Sequence, residues 1–233
     1  MKQIYAIVLA GGSGQRMGTE GNKVFLPLRG IPAIVRAIVP FSALCKGIVV
    51  VAREEDQTLM RETLVRFQIA SLVTKIVTGG ADRQASVANG LAALPEDAEA
   101  VLVHDGARAL ITAEVIRNVI ESIRAHGSGV ASIPVTDTIK SADSGGFVLE
   151  TLPRETLFAI QTPQGFRVSL LRQAHEHANL SGYRATDDAA LLEAAGLPVH
   201  LCMGDRENIK LTTPMDRILA DLILQNRDER EGQ

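Results

Sequence analysis

The sequence predicts an α/β fold built on a single doubly wound, mostly parallel β-sheet, with a β-hairpin arm projecting from it. Three observations predict this. Short, near-continuously apolar runs alternate with segments of helical period along the chain. A glycine-rich loop follows the first of those runs. Two short extended runs flank a glycine turn late in the chain, where the alternation breaks.

The apolar runs Ile4–Leu9, Gly47–Val51, Val73–Val77, Ala100–His104, Val130–Ile133 and Val199–Met203 read as strands buried on both faces. Between them, Ile34, Ala37, Ile38 and Phe41 recur at i, i+3, i+4 and i+7, and Val87, Leu91 and Leu94 follow the same spacing. Val115, Ile116, Val119, Ile120 and Ile123 form a third helical stripe, with Thr112 placed to cap it. A last helix opens at Thr213-Pro214, a cap followed by a proline whose missing N–H costs nothing there, with Asp216 near the positive end. The β-α-β-α order makes the sheet doubly wound. Residues 136–160 hold Thr136–Lys140, a Ser144-Gly145-Gly146 turn and Phe147–Thr151, which read as the hairpin. Such a hairpin lacks a core of its own, so it is expected to pack on a second copy of the chain as a homodimer arm.

At 233 residues and 46% hydrophobic side chains, the chain suits one domain, here residues 1–226 including the arm, with 227–233 a polar tail expected to fray. Six Phe, two Tyr and no Trp leave little for stacking nucleic-acid bases. The net charge of −3 argues against a nucleic-acid backbone or an anionic membrane as partner. No apolar run reaches the roughly 18–20 residues of a membrane span. Cys45 and Cys202 form neither a CxxC nor a metal-binding spacing and read as reduced, packed thiols of a cytoplasmic protein. Residues 1–36 carry five cations (Lys2, Arg16, Lys23, Arg29, Arg36) against Glu20 alone, which points to a small anionic ligand near the N-terminus.

The sharpest local signal is Leu9-Ala10-Gly11-Gly12-Ser13-Gly14-Gln15-Arg16-Met17, followed by Lys23. Glycines after a strand let backbone N–H groups approach phosphate oxygens. Gly12-x-Gly14 shares only the first two glycines of the dinucleotide frame, and Gly18, Gly21, Pro27 and Gly30 break the helix that should follow. Two cations just beyond the loop suit a triphosphate better than a dinucleotide.

This loop resembles the signature of the sugar-nucleotide and alditol-phosphate nucleotidyltransferases. Further segments, in the same order as in that family, narrow the resemblance: Gly79-Gly80-Ala81-Asp82-Arg83-Gln84-Ala85-Ser86-Val87, Val103-His104-Asp105-Gly106-Ala107-Arg108, Pro134–Lys140, Thr162-Pro163-Gln164, Thr186-Asp187-Asp188 and Asn208–Pro214. From about residue 3 to 225 the chain is similar to the 2-C-methyl-D-erythritol 4-phosphate cytidylyltransferases of non-mevalonate isoprenoid synthesis. The resemblance implies a Rossmann-like nucleotidyltransferase fold. It also implies a reaction in which a substrate phosphate attacks the α-phosphorus of CTP and pyrophosphate leaves.

The resemblance assigns roles residue by residue. Arg16, Lys23 and Lys210 would surround the α-phosphate, and the backbone of Ala10, Gly11, Gly12 and Gly14 would hold the triphosphate. Asp105, ending a strand at the carboxyl edge of the sheet, would bind Mg²⁺ with phosphate oxygens and water completing its shell. Gly80 and Ser86 would read the cytosine edge. Arg108, Thr138, Arg154 and Thr186 would hold methylerythritol phosphate, with the arm residues crossing to the partner subunit; arginine suits phosphate through its planar fork. His104 reads as a structural neighbour, and His126, His175, His177 and His200 as surface or packing residues. Two departures stand out. Ala81 replaces a frequent Asp, leaving base recognition to Gly80 and Ser86 unless Asp82 shifts in. Ala109 replaces a usual Pro, which is expected to loosen the loop holding Arg108. A ribitol-5-phosphate cytidylyltransferase and a non-catalytic nucleotide sensor of the same fold remain as alternatives.

Overall fold

The computed structural model describes residues 1–12 and 21–231, so the expectations for Gly14 and Arg16 lie outside the described residues. The elements run β1 (Ile4–Ala10), a short pair β2 (Pro27–Leu28) and β3 (Ile31–Pro32), α1 (Ala33–Ile38), β4 (Gly47–Ala52), α2 (Gln57–Arg66), β5 (Val73–Thr78) and α3 (Arg83–Ala92). They continue with β6 (Ala100–Asp105), α4 (Ala113–His126), β7 (Ser128–Pro134), β8 (Lys140–Ala142), β9 (Val148–Thr151), β10 (Phe158–Arg167), α5 (Val168–Ser181), α6 (Asp188–Ala194), β11 (Leu201–Met203) and α7 (Pro214–Glu231). Seven strands form the main sheet in the order β11-β7-β10-β6-β1-β4-β5. All neighbours are parallel except β10, which runs antiparallel to both β6 and β7.

Strand alternation divides the core into two layers. Ile4, Ala6 and Val8 of β1 pack with Ile34, Ile38, Met60, Leu64, Ile116 and Val119 of α1, α2 and α4. Tyr5 and Ile7 point the other way and pack with Val87, Leu91, Leu171 and Leu191 of α3, α5 and α6. Each large apolar side chain so buried contributes about 1.5–3 kcal/mol. The helix α4 shows how the sequence sets its own limits. The Thr112 hydroxyl accepts from the Val115 N–H at 3.4 Å, and Gly127, at φ +84°, ends the helix in the left-handed conformation. A Cβ on Gly165 of β10 would lie 2.5 Å from both Ile123 and Val119, so the absence of a side chain there lets α4 seat on the sheet.

Three expectations are corrected. The strand β10 was not expected, and Phe158–Ile160, assigned to the arm from sequence, open it. Its polar residues Gln161 and Gln164 are buried because they bond across the fold to Asp205, Asp187 and the α6 N–H groups. The hairpin is shorter and later than predicted: Lys140–Ala142 pairs with Val148–Thr151, while 136–139 is not strand. Its turn is fixed by the Asp143 carboxylate, which accepts from Gly145 and Phe147 N–H groups at 2.9 Å. Residues Arg227–Glu231, read as a fraying tail, belong to α7. Arg227 holds that end down, donating to the Glu207 carboxylate at 2.8 Å and the Leu110 carbonyl at 3.0 Å.

Candidate functional site

The carboxyl ends of β1, β4 and β6 lie side by side, with Leu9 paired to Asp105 and Ala10 to Ala52. A cavity of about 210 Å³ opens there, and its wall includes Gly11, Gly12, Lys23, Ser86, Asp105 and Lys210, all predicted from sequence. The Lys23 chain lies against Gly12, whose absent Cβ would stand 3.7 Å from the lysine Cε. Lys210 Nζ meets the Asp105 carboxylate at 2.7 Å. Burial pushes the Asp105 carboxyl up, but Lys210 and Arg83 outweigh it and hold it below the usual carboxylate range.

Arg83 is the charged lining residue that the sequence reading left without a role. Its guanidinium reaches the fully buried Asp188 at 2.7 Å and Asp105 at 3.8 Å. One signal could have found it: a cation at the first position of a helix runs against the helix dipole and asks for an acidic partner. That partner sits 105 residues away.

The base-loop residues are held by local bonds. Ser86 Oγ accepts from the Gly80 N–H at 3.0 Å and donates to the Asp82 carbonyl at 2.8 Å. The Asp82 carboxylate caps α3 through the Ala85 N–H at 2.7 Å, so it is engaged as a cap and does not shift toward the Ala81 position. The loop of Arg108 is tied down despite Ala109. His104 Nε2 bonds the Arg108 carbonyl at 3.1 Å, while Thr162 Oγ1 bonds His104 Nδ1 and accepts from the Asp105 N–H, both at 3.0 Å. Ala109 is itself buried against Leu28 and Leu110. Both His104 bonds suit a neutral ring with its proton on Nε2. Arg108 directs its fork at backbone carbonyls, Asn208 at 2.7 Å and Ile160 at 3.4 Å, and does not line the cavity. It thereby anchors the segment that carries Lys210. Thr138, Arg154 and Thr186 are exposed and also outside the cavity wall; Arg154 donates to the Thr136 carbonyl at 3.3 Å, at the foot of the arm. Ala10 is buried behind the glycine loop.

Burial pushes His104 down to about 4. Its folded pKa is therefore below its unfolded value, and the stabilisation from keeping it neutral is complete above about pH 6.5 and lost as pH falls toward 4. Urea unfolding of the metal-free protein across that window is expected to show a loss of about 3 kcal/mol from this group. The slope should shrink in His104→Gln, and an unchanged slope would remove His104 as its source.

The chain matches, over residues 4–226, the family model described as IspD: 2-C-methyl-D-erythritol 4-phosphate cytidylyltransferase. A protein of that name from Pelotomaculum thermopropionicum is 43% identical over 233 residues, covering 99% of this chain and 98% of the relative. Among solved structures, the 4-diphosphocytidyl-2C-methyl-D-erythritol synthase of Anaerococcus prevotii superposes with a TM-score of 0.85 at 30% identity, over 96% of both chains. The 2-C-methyl-D-erythritol 4-phosphate cytidylyltransferase of Thermus thermophilus gives 0.78 at 31% identity, over 96% of this chain and 99% of that one. A family match across nearly the whole chain, on a sheet whose carboxyl edge gathers Lys23, Asp105 and Lys210 around a glycine loop, makes this chain a member of the 2-C-methyl-D-erythritol 4-phosphate cytidylyltransferase family.

Proposed function

We propose that the protein transfers the cytidylyl group of CTP to 2-C-methyl-D-erythritol 4-phosphate, giving CDP-methylerythritol and pyrophosphate. The observation that carries this reading is the cavity in which Lys23 and Lys210 face a glycine loop beside an ionised carboxylate. In the reaction, a phosphate oxygen of methylerythritol phosphate bonds to the α-phosphorus of CTP, and the α-phosphorus bond to the bridging oxygen breaks. The nucleophile is already an anion, so the enzyme has to align it and offset the gathering negative charge rather than remove a proton. Lys23, with Arg16, stabilises the crowded α-phosphorus, and Lys210 faces the same α-phosphate. Gly11, Gly12 and Gly14 offer N–H groups to the triphosphate, and Gly80 and Ser86 read the cytosine.

Asp105 fits a divalent cation such as Mg²⁺: it is a hard oxygen donor, held ionised, on the cavity wall. The described residues contain no group of three or more potential metal-ligating side chains, so phosphate oxygens and water would supply the remaining ligands. When bound, the ion neutralises phosphate charge.

We also infer a homodimer. Phe147, Val148 and Leu149 on the arm, with Phe158 and Ile160 beside it, expose apolar surface in a single chain. Arg154 and Thr138 lie on the same segment, outside the cavity of their own chain, which suits delivery of both to the partner's site. The family resemblance assigns Arg108 and Thr186 to that phosphate pocket as well. Both cysteines are free thiols, which suits a cytoplasmic setting, and no helix among the described residues is long and apolar enough to cross a membrane.

Pyrophosphate release from CTP and Mg²⁺ tests the reaction, with methylerythritol 4-phosphate and ribitol 5-phosphate offered in parallel. Turnover is expected with the first. Turnover with ribitol phosphate alone would overturn the substrate assignment, and none with either would leave a nucleotide sensor. Mixed dimers of inactive Arg154→Ala and inactive Lys23→Ala chains test the shared site. One intact site should be regained, and no recovery in verified heterodimers would place Arg154 in its own subunit's site.

A further inference from the structure

Lys23 owes its position to the residue before it. Asn22 is buried, 6% exposed, and its side chain uses three hydrogen-bonding positions at once. Its amide nitrogen donates to the carbonyl of Ala10, the last residue of β1, and to Asp56 Oδ2 at 2.8 Å. Its amide oxygen accepts from the Val24 N–H at 3.2 Å, capping the helical turn Lys23–Phe25. Asp56 is buried as well and is gripped by the Arg53 fork, with Nε at 2.7 Å from Oδ2 and Nη2 at 3.1 Å from Oδ1. Arg53 directly follows β4, the neighbour of β1 in the sheet. One amide thus joins the end of β1, the turn carrying Lys23 and the turn after β4.

We propose that Asn22 is a positioning residue for Lys23, anchored by the Asp56–Arg53 pair, and that this clasp sets where the lysine ammonium stands against the glycine loop. The proposal rests on the catalytic reading of Lys23 given above. The chemistry of the pocket selects an amide. An aspartate could still cap Val24, but it would present lone pairs to the Ala10 carbonyl and to the Asp56 carboxylate, with no donor for either. Alanine would take the Asn22 partner from the Ala10 carbonyl and the Val24 N–H and leave Asp56 to Arg53.

A double-mutant cycle in the full-length enzyme tests this, comparing wild type, Asn22→Ala, Lys23→Ala and the double variant by pyrophosphate release with CTP and methylerythritol 4-phosphate. Asn22→Ala is expected to lower kcat by about ten- to a hundredfold, the loss that follows a displacement of about an ångström at a reacting group. The KM for methylerythritol phosphate should stay unchanged, and adding Asn22→Ala to Lys23→Ala should cause no further loss. Equal fold-losses in both backgrounds, or a loss confined to KM, would overturn the proposal. If Asn22→Ala fails to fold, Asp56→Asn serves in its place: it keeps the shape, removes the anchoring charge, and should give the same pattern, with equal losses in both backgrounds again overturning the proposal. Near-normal turnover of Lys23→Ala alone would overturn the catalytic reading of Lys23 as well, and that single variant distinguishes the two failures.

Discussion

Replacing Lys23 with alanine is expected to lower kcat by on the order of a hundredfold or more, the loss typical of removing one preorganised charge from a developing anion. The argument rests on position and on chemistry. The side chain lies along Gly12 on the cavity wall and faces the same space as Lys210 and Asp105. Charge on the α-phosphorus oxygens is greatest when both the entering and the leaving oxygen are partly bonded, so a cation placed there acts mainly on the transition state. The loss should therefore fall on kcat, with the KM for methylerythritol phosphate little changed. Steady-state pyrophosphate release measures it, and near-normal turnover would remove Lys23 from the reacting set.

The second large effect concerns stability. Asp188→Ala is expected to destabilise the protein by about 3–5 kcal/mol, the usual cost of removing one partner from a buried ion pair. Asp188 is fully buried, and Arg83 Nη2 stands 2.7 Å from its carboxylate. Without it, the guanidinium keeps, among the ion pairs of the described residues, the longer contact to Asp105 at 3.8 Å. Arg83 would then be drawn toward Asp105 and compete with Lys210, so the same variant should also lose activity. Asp188→Asn keeps the shape and one hydrogen-bonding oxygen and should lose less. Denaturant midpoints compare the three proteins. A wild-type midpoint for Asp188→Ala would show that the pair contributes nothing to folding.

Much of the candidate site is legible along the chain because its parts are local. The glycine run Gly11–Gly12 follows a strand, Asp105 ends another, Ser86 sits one turn into a helix, and Lys210 lies between a strand and the last helix. Each can be placed from periodicity and turn residues over a few positions, and the family resemblance supplied roles that spacing alone left open. Arg108 shows the limit of that approach. Its motif pointed to substrate phosphate, yet in the single chain its fork is taken up by the Asn208 and Ile160 carbonyls, 100 and 52 residues away.

The sequence by itself determined the doubly wound sheet, a hairpin late in the chain and the glycine-loop edge of the sheet, because alternating apolar runs, glycine turns and caps encode local backbone geometry. Only the tertiary structure decided that Phe158–Arg167 enters the middle of the sheet antiparallel, that Arg83 bridges Asp105 and Asp188, and that Asn22 joins the turn of Lys23 to the end of β1 and the turn after β4. The physical reason is common to all three. Each buries polar groups whose partners lie far away in sequence, and a polar residue shows itself as a core residue only once the fold has brought its partner to it.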